Sequence, residues 1–239
     1  MTWGIYSLVF LVVVVASTVQ SSVGMGQGLV AAPLLRLLEP DLLPGPIVLA
    51  GLLTSTVLAL RNSRPGDLAQ VAPAVGGRFV GSGIAIGLLA ILSERGLTIV
   101  IGSVVLAFVA LRLLGLRIAR TLASLSGAGL VSGISGTIAA LGGAPMGLLY
   151  EQHSSARDFR GPMGMYMTVG GAVSVGLLSI AGQMDGQAWL NGLALLPPLA
   201  LGWLFARWVT PIVDKGFLSP IVLALSSGSA LVLILSELL

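Results

Sequence analysis

Apolar positions along this chain gather into eight runs, at about 4–38, 43–61, 71–92, 97–114, 121–149, 160–181, 189–208 and 217–238, separated by short polar turns. A run of 18 or more apolar residues in hydrocarbon can satisfy its backbone hydrogen bonds only as helix. The short alternating segments of a membrane β-barrel are missing from the pattern. An all-α integral membrane protein with about eight membrane segments is expected, and no polar stretch is long enough to hold a soluble domain, so 1–239 reads as one transmembrane domain.

Runs one and five stand apart. At a rise of about 1.5 Å per residue, roughly 35 residues make a helix of about 50 Å, well over a bilayer core of about 30 Å. Both are interrupted by glycine, at Gly24, Gly26 and Gly28 in the first and at Gly142 and Gly143, followed by Pro145, in the fifth. Setting the second half of the chain under the first reveals a weak repeat, about 1–116 and 117–239, with an offset that drifts from about 116 to 120. Gly26 falls on Gly142, Gly45, Gly51 and Ser55 on Gly164, Gly170 and Ser174, and Glu94-Arg95-Gly96-Leu97 on Asp214-Lys215-Gly216-Phe217.

Basic residues favour cytoplasmic loops, so their distribution tests how the long runs lie. If all eight runs cross, Arg61, Arg64, Arg112, Arg117 and Arg120 face Arg36, Arg95, Arg157, Arg160 and Lys215, with no bias. If runs one and five are re-entrant hairpins, only Arg36 and Arg95 remain opposite the other eight. The expectation is therefore two inverted repeats, each a glycine-broken re-entrant segment plus three transmembrane helices, with both termini on the outer face of a multi-pass inner-membrane protein.

Composition agrees: the chain is 56% hydrophobic and 9% charged, with a mean hydropathy of +1.03. A surplus of three basic residues, 12 against 9, without a basic and aromatic patch, gives no nucleic-acid signal. The absence of cysteine removes disulfides and thiolate metal sites, and His153 stands alone, so neither metal nor cofactor is expected. The N-terminal MTWGIYSLVFLVVVVASTV has no basic start or small-x-small cleavage signal and reads as a retained membrane segment.

Candidate chemistry centres on the breaks. Ser17, Gln20, Ser21, Gly24 and Gly28 share one helix face, which suits either close helix packing or a wet substrate cavity. Gln20 and Gln27 support the cavity, because an amide in hydrocarbon needs a partner or water. In the second half Ser132, Ser135 and Thr137 precede Leu141-Gly142-Gly143-Ala144-Pro145. New helical arms are expected to start near Gln27 or Gly28 and near Ala144 or Pro145, and bare amides at such starts suit anions. In transporters of inverted repeats, broken helices meet near the midplane around the substrate.

Arg78 and Arg207 are the basic residues placed inside crossings, and each is either a snorkelling side chain or, for Arg78 in GGRFVGSG, a vestibule charge for an anion. Thr54-Ser55-Thr56, Thr168 and Ser174 either add hydroxyls to the cavity or bond their own helix. Met163, Met165 and Met167, two apart, are read as packing or lipid contacts that share no helical face, and Trp3, Trp189 and Trp208 as interface anchors. No acidic residue is placed mid-membrane, which leaves proton or sodium coupling open.

The segments SVGMGQGLVAAPLL at 22–35 and SGTIAALGGAPMGLLY at 135–150 resemble the paired glycine-rich signatures of the TauE/SafE family. RDFRGPMGMY is similar to that family's linker into the next helix, with Pro162 in place of a threonine, and RPGDLAQVAPAVGGRFVGSGIAIGLL resembles its third segment. The resemblance implies a secondary transporter, usually an exporter, of sulfite or organosulfonates, while Gln27 in place of glycine points to another substrate within the family.

The candidate substrate-binding set is Gln20, Ser21, Gly24, Gly26, Gln27, Gly28, Arg78, Ser135, Thr137, Gly142, Gly143 and Ala144. A passive small-anion channel is the alternative, since small polar faces could also line a pore. An intramembrane enzyme lacks a nucleophile–base pair or metal cluster, and a scaffold role has no positive sign. The expected partners are a small anion and the lipid bilayer, with the oligomeric state open.

Overall fold

The structure is a computed structural model that describes residues 3–115, 118–150, 156–213 and 219–238. Arg117, His153 and the Asp214–Phe217 match of the repeat lie outside the described residues, as does Lys215. Described residues form helix and no strand. The order is α1 (Trp3–Val23), α2 (Gln27–Leu38), a 3-10 turn (Pro40–Leu42), α3 (Gly45–Asn62), α4 (Asp67–Ile91), α5 (Glu94–Leu113) and α6 (Leu122–Ala139). Then come α7 (Gly143–Tyr150), α8 (Ala156–Ile180), α9 (Gly186–Ala194), α10 (Leu196–Val213) and α11 (Ser219–Leu238). Among the described residues, seven helical segments are long and apolar enough to cross a membrane, with α9 and α10 counted as one. The run at 189–208 thus contains a turn at Leu195 that periodicity alone misses.

Both long runs break where glycine predicts. Gly24 and Gly26 adopt φ of 104° and 109°, a region that glycine enters without a Cβ penalty. In the second half Ala140 takes the left-handed position at φ 56°, a conformation that costs a non-glycine residue about 1–2 kcal/mol. The new arms begin at Gln27 and Gly143.

Packing fixes the directions. The α3 and α8 helices are antiparallel, because Gly161 sits against the Asn62 carbonyl, Gly164 against Leu58 and Ala59, and Gly171 against Leu52. α4 and α6 are parallel: the Ser126 hydroxyl donates to the Pro73 carbonyl at 3.4 Å and Thr137 to Ser82 at 3.0 Å. α1 and α10 are parallel as well, through Thr18 to the Gly202 carbonyl at 3.2 Å and Ser22 to that of Ala206 at 3.5 Å. α5 packs on α11, and Gly102 meets Ile234.

Two ends of the bundle follow. At the Arg61 end, Arg64 pairs with Asp158 at 3.3 Å and the Arg160 Nε donates to the Ser22 carbonyl at 2.7 Å. At the Arg36 end, Arg36 pairs with Glu94 and donates to Thr98 at 2.9 Å. Since α1 finishes at the Arg61 end and α2 at the Arg36 end, the first break turns the chain back on itself. The second does likewise: Tyr150, closing α7, stacks 3.8 Å from the Arg120 guanidinium, just ahead of α6. The arms are unequal, about 31 Å and 18 Å in the first half and about 27 Å and 12 Å in the second at the ideal rise.

Small residues let these helices approach without a solvent-driven force between them. Gly77, Gly81, Gly129 and Gly133 put α4 and α6 in backbone contact, and a Cβ on any of them would overlap the opposite main chain. Exposed Trp3, Trp189 and Trp208 lie near segment ends, in agreement with their reading as anchors.

Candidate functional site

The two breaks touch. Gly28, in the first turn of α2, lies against the Ala139 and Ala140 carbonyls, and Gly143, opening α7, lies against Met25. Two polar clusters border this junction.

The first belongs to α1, α2 and α3. Gln20 is 1% exposed; its Nε2 donates to the Ser55 hydroxyl at 3.1 Å and its Oε1 accepts from the Gln27 backbone N–H at 3.2 Å. One side chain thus joins α1 to α3 and caps the new arm, because the first amides of a helix have no partner of their own. The Gln27 side chain is buried with neither its Nε2 nor its Oε1 partnered. An unpaired buried amide is costly, so this group is poised for a partner.

The second cluster is built on Arg78, which reaches from α4 into the α6–α7 break. Of its two readings, that of a side chain snorkelling to the membrane surface is overturned: Arg78 is 2% exposed. Its Nη1 donates to the Ser132 hydroxyl at 3.1 Å and to the Met167 sulfur at 3.4 Å, and its guanidinium lies 5.1 Å from the Tyr166 ring centre. No carboxylate pairs with it among the described residues, and its Nε has no hydrogen-bond partner. Gly136, Gly142 and Gly170 make room for the head group, since a Cβ on any of the three would collide with it. Ser132 also donates to the Gly142 carbonyl, which ties the charge to the break. One turn along α4, Ser82 meets Thr137 at 3.0 Å and Ser174 at 3.5 Å, and Thr137 lies 2.8 Å from Ser174.

The two clusters correspond. Ser55 and Ser174, matched in the repeat, each bond to a residue just ahead of the break, Gln20 and Thr137. Gly81 packs on the Leu130 carbonyl and Gly133 as Gly202 packs on the Val14 carbonyl and Ser17, which lie about 116 residues earlier. In that register Arg78 matches Leu199, so the charge belongs to one half only.

Other sequence candidates divide. Ser135 bonds its own helix, to the Val131 carbonyl at 2.9 Å. Gly24 is filled by Phe159 and lies near the Arg160 backbone, Gly26 approaches the Val19 side chain, and Ala144 is buried. Ser17 meets Gly202. Much of the small face of α1 is thus packing rather than cavity, while Ser21 lines an open cavity at the Arg61 end. Thr54, Thr56 and Thr168 bond their own helices, at 2.9, 2.8 and 2.8 Å.

Sequence reasoning missed Ser82, Tyr166 and Met167. Met163 and Met167 are four apart and share the buried face, contrary to the two-residue spacing argument. The spacing of Arg78 and Ser82, one turn apart and each directly after a glycine, Gly77 and Gly81, could have signalled that cluster.

No curated protein and no solved structure matches the chain. The family model described as sulfite exporter TauE/SafE matches residues 9–233 and so takes in both breaks and both polar clusters. With that match spanning nearly its whole length, this multi-pass membrane chain belongs to the TauE/SafE sulfite exporter family.

Proposed function

We propose that the protein is a secondary transporter that exports small anions such as sulfite or organosulfonates, by alternating access around its two broken-helix tips. The observation that carries the reading is Arg78, a buried guanidinium with no carboxylate partner among the described residues, cradled by glycine at the second break. A cation kept in low dielectric at such cost suits a site whose counter-charge arrives and leaves. The unpartnered Gln27 amide at the other break offers a neutral donor to the same passenger. Gln20, Ser21, Gly24, Gly26, Gly28, Ser135, Thr137, Gly142, Gly143 and Ala144 shape or support this site.

Antiparallel packing of the matched helices α3 and α8 supports inverted repeats, and the two chain reversals support re-entrant hairpins. Basic residues concentrate at the Arg61 end, among them Arg64, Arg112 and Arg120, against Arg36 and Arg95 at the other. By the positive-inside rule the Arg61 end is cytoplasmic in an inner-membrane setting, and the C-terminus is outside. Direct contact between the breaks favours a carrier over an open pore.

Flux of sulfite and organosulfonates into proteoliposomes tests the function, with acceleration by substrate on the far side expected of a carrier. Absence of any anion flux refutes transport, and flux unaltered by Gln27→Leu with Gly143→Val removes the site. A C-terminal reporter found in the cytoplasm would exclude the inverted topology.

A further inference from the structure

We propose that the cavity at the Arg61 end is a second anion site, a vestibule that gathers a small oxyanion ahead of the breaks; this rests on the transport reading above. The cavity measures about 160 Å³ and lies among the ends of α1, α3 and α10 and the start of α8. Three arginines line it, Arg61, Arg160 and Arg207, together with Ser21, Asn62 and Thr210, and among the described residues no acidic one does. A water molecule occupies about 30 Å³ of liquid, so an oxyanion of a few heavy atoms fits with part of its hydration.

The arginines are held rather than loose. Arg160 is 5% exposed and its Nε is spent on the Ser22 carbonyl at 2.7 Å. The Arg61 guanidinium stacks 4.9 Å from the Trp203 ring centre and that of Arg207 4.0 Å from Trp208. Stacking occupies the face of a guanidinium and leaves its edge donors for an oxyanion. Ser21, also in the lining, keeps its hydroxyl buried without a partner, three residues ahead of Gly24. An orphan donor sharing one cavity with three arginines, next to the first break, marks a place where an anion waits.

The Arg36 end carries a comparable cavity of about 290 Å³ with the opposite balance. It is lined by Arg36, already paired with Glu94, and by Asp41. Pockets lined by one sign of charge raise the local concentration of the opposite ion, so anions accumulate at the Arg61 end and not at the other. The vestibule sets apparent affinity on one face; it supplies no energy for net flux.

The test is sulfite exchange by the full-length protein in phosphatidylcholine vesicles, with the half-saturating concentration measured separately from each face. The double substitution Arg61→Gln with Arg207→Gln is expected to raise half-saturation at the Arg61 face by about tenfold or more, as loss of nearby charges implies. The maximal rate and half-saturation at the Arg36 face stay unchanged, and Arg61→Lys with Arg207→Lys retains most of the affinity. Wild-type exchange with an unaltered Arg61-face half-saturation in the glutamine variant overturns the vestibule and leaves transport standing, whereas no exchange by wild type removes transport itself. A substitution effect that appears only when phosphatidylglycerol is added assigns the arginines to lipid phosphate and also overturns the proposal.

Discussion

Replacing Arg78 with methionine separates a binding charge from a structural one. The side chain gives up its charge-assisted hydrogen bond to Ser132, worth about 1.5–3 kcal/mol, and a weaker one to the Met167 sulfur. It also gives up a ring contact with Tyr166, worth about 2 kcal/mol where desolvated. Against that stands the cost of holding a cation out of water with no carboxylate, several kcal/mol after relaxation. Ser132 keeps its bond to the Gly142 carbonyl, so the substitution orphans no hydroxyl. Leu199, buried three residues ahead of Gly202 as Arg78 is ahead of Gly81, shows that an apolar side chain suits such a place. Arg78→Met should therefore fold, with a melting temperature unchanged or raised by up to roughly 5 °C.

Its effect on the anion is opposite in sign. A unit charge pair at about 4 Å and an effective dielectric of about 20 is worth about 4 kcal/mol. That amounts to roughly a thousandfold in affinity. The assay is thermal melting of the purified protein with and without sulfite, alongside flux. At about 100 times the dissociation constant, a ligand stabilises its protein by about 2.7 kcal/mol, so wild type shows a clear shift and the variant none. A variant that melts many degrees lower, yet still responds to sulfite and transports it, would refute the reasoning and make Arg78 a structural residue.

Gly142→Ala and Gly170→Ala each place a methyl against the Arg78 guanidinium, so both are expected to lower sulfite flux at least tenfold while melting changes by no more than the overpacking cost of about 1–3 kcal/mol. Gln20→Leu removes the link to Ser55 and the acceptor for the Gln27 amide, and a loss of about 1–3 kcal/mol should appear in a denaturation curve. Ala140→Gly relieves the left-handed strain and is expected to raise stability by about 1 kcal/mol, read as a higher melting temperature. Because the chain has no cysteine, Thr210→Cys gives a clean probe: a membrane-impermeant thiol reagent should label this half-buried lining position from the Arg61 end and not from the other.

The sequence alone decides that the chain lives in lipid as helices and that two of its segments cannot run straight. Apolar run length and glycine spacing are local properties, so Gly24, Gly26 and Gly142 announce their breaks without help from the rest of the fold. Small residues that align between the halves are legible for the same reason, because close approach demands them: Gly45 lies against Met184 and Gly164 against Ala59.

What Arg78 does could not be read that way. A long cation inside an apolar helix can extend to the interface or turn inward, and the choice depends on what the neighbouring helices offer. Here Gly136, Gly142 and Gly170, from two other helices and the second break, leave a space shaped for the guanidinium. Likewise, whether Ser17 and Ser21 on the same stripe pack or line a cavity is decided by the partner helix: α10 brings Gly202 against one, while Arg61, Arg160 and Arg207 leave open space above the other. Local pattern fixes where a membrane chain bends; only the packing of distant segments fixes which buried polar group is paired and which is left waiting, because desolvation is a property of the assembled surroundings.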